Sequence, residues 1–129
     1  MRAVSTFVNH RHEVETYDDR EGAVLGRIHI ERTIQGDLEG EATAELLTAT
    51  AENGAAVYLA LDHISGRLHG REGSFVLQHR GVVSADGAEI DGAIVPGSGT
   101  GELKGISGQG AIMVDDDGTH HLTLEYELG

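Results

Sequence analysis

Glycine is set into a strand-forming run in the last third of this chain. The stretch Gly92-Ala-Ile-Val-Pro-Gly-Ser-Gly-Thr-Gly-Glu-Leu-Lys-Gly-Ile-Ser-Gly-Gln-Gly-Ala-Ile-Met-Val114 carries glycine at 92, 97, 99, 101, 105, 108 and 110. Inside a strand glycine costs stability. It is kept where a strand must bend sharply, bulge, or admit another backbone at close range. Repeated bends of this kind turn the corners of a sheet and close it on itself. An all-β chain with a closed sheet is therefore expected.

Turn signals divide the chain. They fall at Asp18-Asp19-Arg20-Glu21-Gly22, Gln35-Gly36-Asp37, Asn53-Gly54, Ser65-Gly66, Asp86-Gly87, Pro96-Gly97-Ser98-Gly99 and Asp116-Asp117-Gly118. Asn-Gly and Asp-Gly supply the positive φ angles of two-residue hairpin turns. The remaining segments are 4–16, 25–34, 38–51, 56–64, 72–83, 88–95, 100–115 and 120–128. Their spacing is that of an antiparallel meander.

Most segments alternate. Leu122, Leu124, Tyr126 and Leu128 share one face, opposite Thr123, Glu125 and Glu127. Ile28, Ile30 and Ile34 share a face with Arg32. Val57, Leu59, Leu61 and His63 oppose Tyr58, Ala60 and Asp62, and Phe75, Leu77 and His79 oppose Ser74, Val76, Gln78 and Arg80. A period of two means strands with one wet and one buried face. The stretch Glu39 to Glu52 is open to two readings. Ala42, Leu46 and Ala49 fit one helix face, whereas Gly40, three threonines and the following Asn53-Gly54 fit a strand, and a strand is expected. With no helix to cover the apolar face, the sheet must cover itself, and closure does this while removing the edges. The expectation is a single domain, residues 1–129, folded as an eight-stranded antiparallel closed β-barrel.

Composition excludes several functions. There is no cysteine, so disulfides, thiolate metal sites and cysteine nucleophiles are ruled out. The formal net charge of −13 repels phosphate backbones and anionic lipid surfaces. Nucleic acid and membrane are therefore not expected as partners. Tryptophan is absent and tyrosine occurs three times, which leaves little to stack against sugars or bases. Residues 1–9 lack the apolar stretch of a signal peptide and no run is long enough to span a membrane, so a cytoplasmic location is the expectation.

Candidate chemistry is sparse. His10 and His12 have a metal-ligand spacing, and alternation would point them the same way, but no third ligand lies at a matching distance. No metal and no cofactor is expected. Glu39, Glu41 and Glu45 share a face, and Glu41 is the one of these kept as an acid/base candidate. His79 stands in line with Phe75 and Leu77, so its imidazole is expected to point inward and to need a partner. Asp62 and Arg32 are similar inward polar candidates. Gly97-Ser-Gly-Thr-Gly101 fits neither phosphate-loop spacing.

Gly73-Ser-Phe-Val-Leu-Gln-His-Arg-Gly81, together with the run from Ile94 to Gly110, resembles a small bacterial family with no assigned activity. Gly36-Asp-Leu-Glu-Gly-Glu41 and Ser65-Gly-Arg-Leu-His-Gly-Arg71 extend that resemblance over most of the chain. More loosely, the order of a glycine-closed strand, a Val-x-Gly-x-Gly-Thr-Gly-x-Leu turn and a Gly-x-Gly strand is similar to the allene oxide cyclase and dirigent barrels. That resemblance implies an eight-stranded barrel with an apolar lumen, in a group where homo-oligomers are common. No catalytic residue of those cyclases matches a position here.

Three functions follow as expectations. The first is binding of a small apolar or amphipathic molecule in the lumen, lined by Arg32, Phe75, Leu77, His79 and Tyr126. The second is a cyclase or isomerase acting on such a molecule, with Asp62, His79 or Glu41 as its polar or acid/base group. The third is a filled barrel acting through its surface. A carboxylate within hydrogen-bond reach of His79 favours the second, and a packed interior favours the third.

Overall fold

The structure, a computed structural model, describes residues 1–85 and 87–129 and, of residues 88 and 89, the backbone alone. Eight strands follow one another: β1 (Arg2–Asp18), β2 (Ala23–Gly36), β3 (Leu38–Ala51), β4 (Ala56–Leu68), β5 (Arg71–Ser84), β6 (Gly87–Ile94), β7 (Ile106–Val114) and β8 (His120–Leu128). Each pairs antiparallel with its neighbours, and β8 returns to β1, so the sheet closes in a ring. The stretch 38–51 is a strand, and its alternating burial shows why: one face carries Leu38, Ala42, Ala44 and Leu46 inward. The only helical element among the described residues is a single 3-10 turn, Gly101–Leu103, and no helix there is long and apolar enough to cross a membrane.

The ring is not a regular barrel. β1 pairs with β8 over six residues, Arg2 to Phe7, while its pairing with β2 continues to Asp18. Beyond Phe7, β1 therefore has a strand on one side only among the described residues. β6 and β7 share three pairs, from Asp91↔Ala111 to Ala93↔Gln109. The half carrying the β1–β2, β3–β4 and β7–β8 turns (the upper half) is thus split at two seams. The other half is packed shut. Its inner cluster joins Phe7, Ile34, Leu38, Ile64, Leu68, Phe75, Leu77, Ile106, Leu122, Leu124 and Tyr126 from around the ring. Leu103, on the 3-10 turn, stoppers this lower end at 1 % exposure. The loop before it is pinned to β5 by the Ser74 amide donating to Thr100 Oγ1 (3.1 Å) and the Val76 amide donating to Ser98 Oγ (3.0 Å).

Two local expectations are corrected. Ser65-Gly66 is not a turn: Gly66 pairs with Gly40 in mid-sheet and β4 runs on to Leu68. The chain reverses at His69-Gly70, with φ of 48° and 81°. His69 takes the left-handed place usually given to Asn in such a turn. The expected strand 100–115 is divided, because Gly101 (φ 59°) and Gly105 (φ 86°) bend residues 100–105 into the stopper loop. Of the expected Asp86-Gly87 turn, Asp86 lies outside the described residues.

β4 also buries the less apolar of its two faces. Tyr58, Ala60 and Asp62 lie on the inner side, and Leu59 and Leu61 are left 53 % and 56 % exposed.

Gly108 carries the corner-turning role expected of the glycine-rich run. Its φ is 144°, and a Cβ there would collide with the carbonyl oxygen of Glu125 on β8. Gly108→Val should cost more than about 1 kcal/mol, because strain and collision add. Thermal unfolding followed by circular dichroism should show a midpoint lower by about 3 °C or more; an unchanged midpoint would remove the corner argument.

Candidate functional site

The inner face brings four polar side chains into one chain. His79, on β5, places Nε2 2.5 Å from Oδ2 of Asp62 on β4. Its Nδ1 lies 3.1 Å from the hydroxyl of Tyr58, also on β4. The other carboxylate oxygen, Asp62 Oδ1, faces Arg32 Nε of β2 at 3.5 Å. β2 and β4 are not neighbours in the sheet; Ala42 and Ala44 of β3 lie between them in register and are small enough to let the two charges meet. The Arg32 guanidinium also sits over the Phe7 ring, 4.8 Å from its centre, a cation–π seat.

The protons in this chain follow from its donors and acceptors. An ionised Asp62 only accepts, so His79 Nε2 carries the proton it donates there. Nδ1 is then free to accept from the Tyr58 hydroxyl. Burial holds the Tyr58 phenol above its ordinary value of 10.0, against a smaller opposing pull from Arg32. Arg32, Asp62 and His79 are 7 %, 2 % and 6 % exposed, and Tyr58, half-buried, is the member nearest to solvent. Tyr58 reaches His79 because the residue beneath its ring is Gly81, where any Cβ would collide with the ring.

The sequence candidates divide. Asp62, His79 and Arg32 come together as above. Glu41 does not join them: it is exposed on the opposite face of β3, in register with Ser65. Phe75, Leu77 and Tyr126 face inward but line no sizeable lumen, being 0 %, 1 % and 2 % exposed in the packed lower cluster. The Tyr126 hydroxyl is instead hydrogen-bonded to His69 Nδ1 at the lower rim. The void at their level, between Phe7, Arg32, Asp62, Leu77 and Leu122, is about 10 Å³. His10 and His12 do not point alike, because a bulge between Asn9 and Arg11 breaks the alternation. His10 Nε2 lies 2.5 Å from Thr33 Oγ1, while His12 is in register with Ile30. Tyr58 was missed by sequence reasoning; its shared parity with Asp62 and a glycine at the facing position were the available signals.

The large concavity reaches this site at one point, His79, with Leu46, Ala60, Gly92 and Gly110 of the inner face beside it. A depression of about 1540 Å³ is lined by residues of all eight strands, chiefly those of the parity opposite to the buried set. These residues follow two adjacent register rows across the sheet. One passes through Arg27, Leu47, Leu59, Arg80 and Asp91; the other passes through Glu13, His29, Glu45, Leu61 and Gln78. Leu47, Leu59 and Leu61 form an apolar patch there, 47 %, 53 % and 56 % exposed. Beside it His29 Nδ1 lies 2.5 Å from Glu45 Oε1, and that hydrogen bond raises the His29 pKa above 6.5.

Two predictions follow from these contacts. Asp62→Ala leaves Arg32 buried without its partner and should cost about 3–5 kcal/mol, whereas Tyr58→Phe should cost about 1 kcal/mol. Urea unfolding midpoints that rank the two the other way would contradict the chain as described. His29 titrates higher folded than unfolded, so its pairing stabilises fully below pH 6.5 and is lost as the pH rises through the raised value. Glu45→Gln should therefore flatten the fall in melting temperature between about pH 6 and about pH 8. An identical pH dependence in both proteins would show that the pair contributes nothing.

No curated protein matches the chain. Among solved structures it is similar to the crystal structure of a protein of unknown function, of the DUF3224 family, from Shewanella oneidensis MR-1. The two are 32 % identical with a TM-score of 0.89, over 100 % of this chain and 97 % of that one. Residues 3–126 match the family described as protein of unknown function (DUF3224), and the chain belongs to that family.

Proposed function

We propose that this protein binds a small amphipathic molecule in the large depression, whose lining joins the exposed Leu47–Leu59–Leu61 patch to Ala60 and His79 of the inner face. The depression of about 1540 Å³ with its exposed Leu47–Leu59–Leu61 patch carries this reading. A concave apolar surface with a few polar groups at its edges is how small-molecule sites are built. Carboxylates outnumber arginines along the rows, with Glu13, Glu15, Glu45, Asp91 and Glu125 against Arg11, Arg27 and Arg80. The ligand is accordingly an apolar body with neutral or cationic polar groups. The same acidic surface speaks against nucleic acid and anionic membranes as partners.

A second reading is favoured by one observation, the carboxylate of Asp62 within 2.5 Å of His79. It takes Tyr58, His79 and Asp62 as the acid/base group of a cyclase or isomerase, in keeping with the resemblance to the allene oxide cyclase barrels. That chemistry needs a substrate against His79, which lines the large depression, while the void beside Asp62 holds nothing larger than a water molecule.

Titration with the neutral fluorophore Nile red distinguishes the two. Leu59→Glu and Leu61→Glu should abolish binding while stability changes by no more than about 0.5 kcal/mol, as for exposed positions generally. Binding that survives both substitutions places the ligand elsewhere and overturns the first reading. The second reading requires, beyond a ligand seated against His79, turnover that His79→Ala abolishes.

A further inference from the structure

We propose that the interior holds one fixed water molecule between Arg32 and Asp62, as a built part of the fold and independent of any ligand on the outer rows. Three observations converge on it. Arg32 Nε and Asp62 Oδ1 are buried polar atoms without a hydrogen-bond partner among the described residues. They lie 3.5 Å apart, an ion pair by distance without the alignment of a direct hydrogen bond. A void of about 10 Å³ opens beside both, walled otherwise by Phe7, Ile34, Ile64, Leu77, Ile112 and Leu122.

The energetics favour a guest. A buried polar atom left unpaired costs about 1–3 kcal/mol, and more when it is charged. A void of this size is at the lower limit for a single water and excludes larger molecules. Such a water accepts from the Arg32 Nε–H and donates to Asp62 Oδ1, satisfying both orphans at once. The guanidinium does not close the gap itself, because its seat over Phe7 holds it where it is. Asp62 Oδ2 is already committed to His79, so the water completes a line of hydrogen bonds from Tyr58 through His79 and Asp62 to Arg32. That line ties β4 and β5 to β2, past the small side chains of β3.

A high-resolution crystal structure of the unmodified protein tests this. The expected result is one isolated density peak within about 3.2 Å of both Arg32 Nε and Asp62 Oδ1, matched in solution by a long-lived internal water in oxygen-17 relaxation dispersion. A side-chain pair closed directly on itself, or an empty void, overturns the proposal. Arg32→Met should remove the peak; a peak that persists in the variant shows that Arg32 does not hold it and also overturns the proposal. If the variant does not fold, the density and relaxation of the unmodified protein decide alone.

Discussion

The six residue pairs that join β1 to β8 make an interior possible at all. Each of the eight strands has an apolar face, and among the described residues there is no helix beyond the 3-10 turn to cover any of them. Only when Arg2–Phe7 meets His120–Glu125 do these faces turn toward one another. The closing pairs bring together residues separated by more than a hundred positions in sequence, so the chain must order almost all of its length before closure is rewarded. Folding through such distant contacts is slow by comparison with helical domains of similar size. The clusters reflect the same constraint: the lower one draws on strands around the whole ring, while the smaller upper one, Ile30, Ala44, Leu46 and Ala60, involves three neighbouring strands.

Within that apolar interior lies an arginine, a carboxylate and an imidazole. Charges taken out of water are costly, and their mutual attraction repays this only when the remaining polar atoms are also satisfied. The fold meets the condition by placing small residues where space is needed. Ala42 and Ala44 clear the path between Arg32 and Asp62, and Gly81 admits the Tyr58 ring over His79. A buried line of this kind fixes the relative register of the strands that carry it, because a slip of one residue would send every member to the opposite face.

Much of this was legible in the sequence, and the reasons for the rest are physical. Strict alternation in β2, β5 and β8 placed Ile30, Arg32, Leu77, His79 and Leu124 inward, as found. β4 resisted, because both of its faces hold apolar residues, and the register with β3 and β5 decides which is buried. Ser65-Gly66 reads as a turn from composition, yet its glycine serves a close approach of two strands, while His69 takes the turn. Phe75, Leu77 and Tyr126 were expected to line a lumen and instead lie in the packed lower cluster. The stopper loop that carries Leu103 into this end is not part of any alternation pattern. The outer rows were equally hidden, since Leu47, Leu59 and Leu61 become neighbours only through strand pairing.

The seam between β1 and β8 has a mechanical side as well. The amino-terminal nitrogen lies 2.8 Å from the carbonyl oxygen of Tyr126, so both chain ends sit at one end of that antiparallel pair. A force pulling the two ends apart would load Arg2↔Glu125 first and Phe7↔His120 last. The pairs then break in turn, like a zipper, instead of sharing the load in parallel as they would under shear. The contact on which the interior depends is therefore the one a pull on the termini opens most easily.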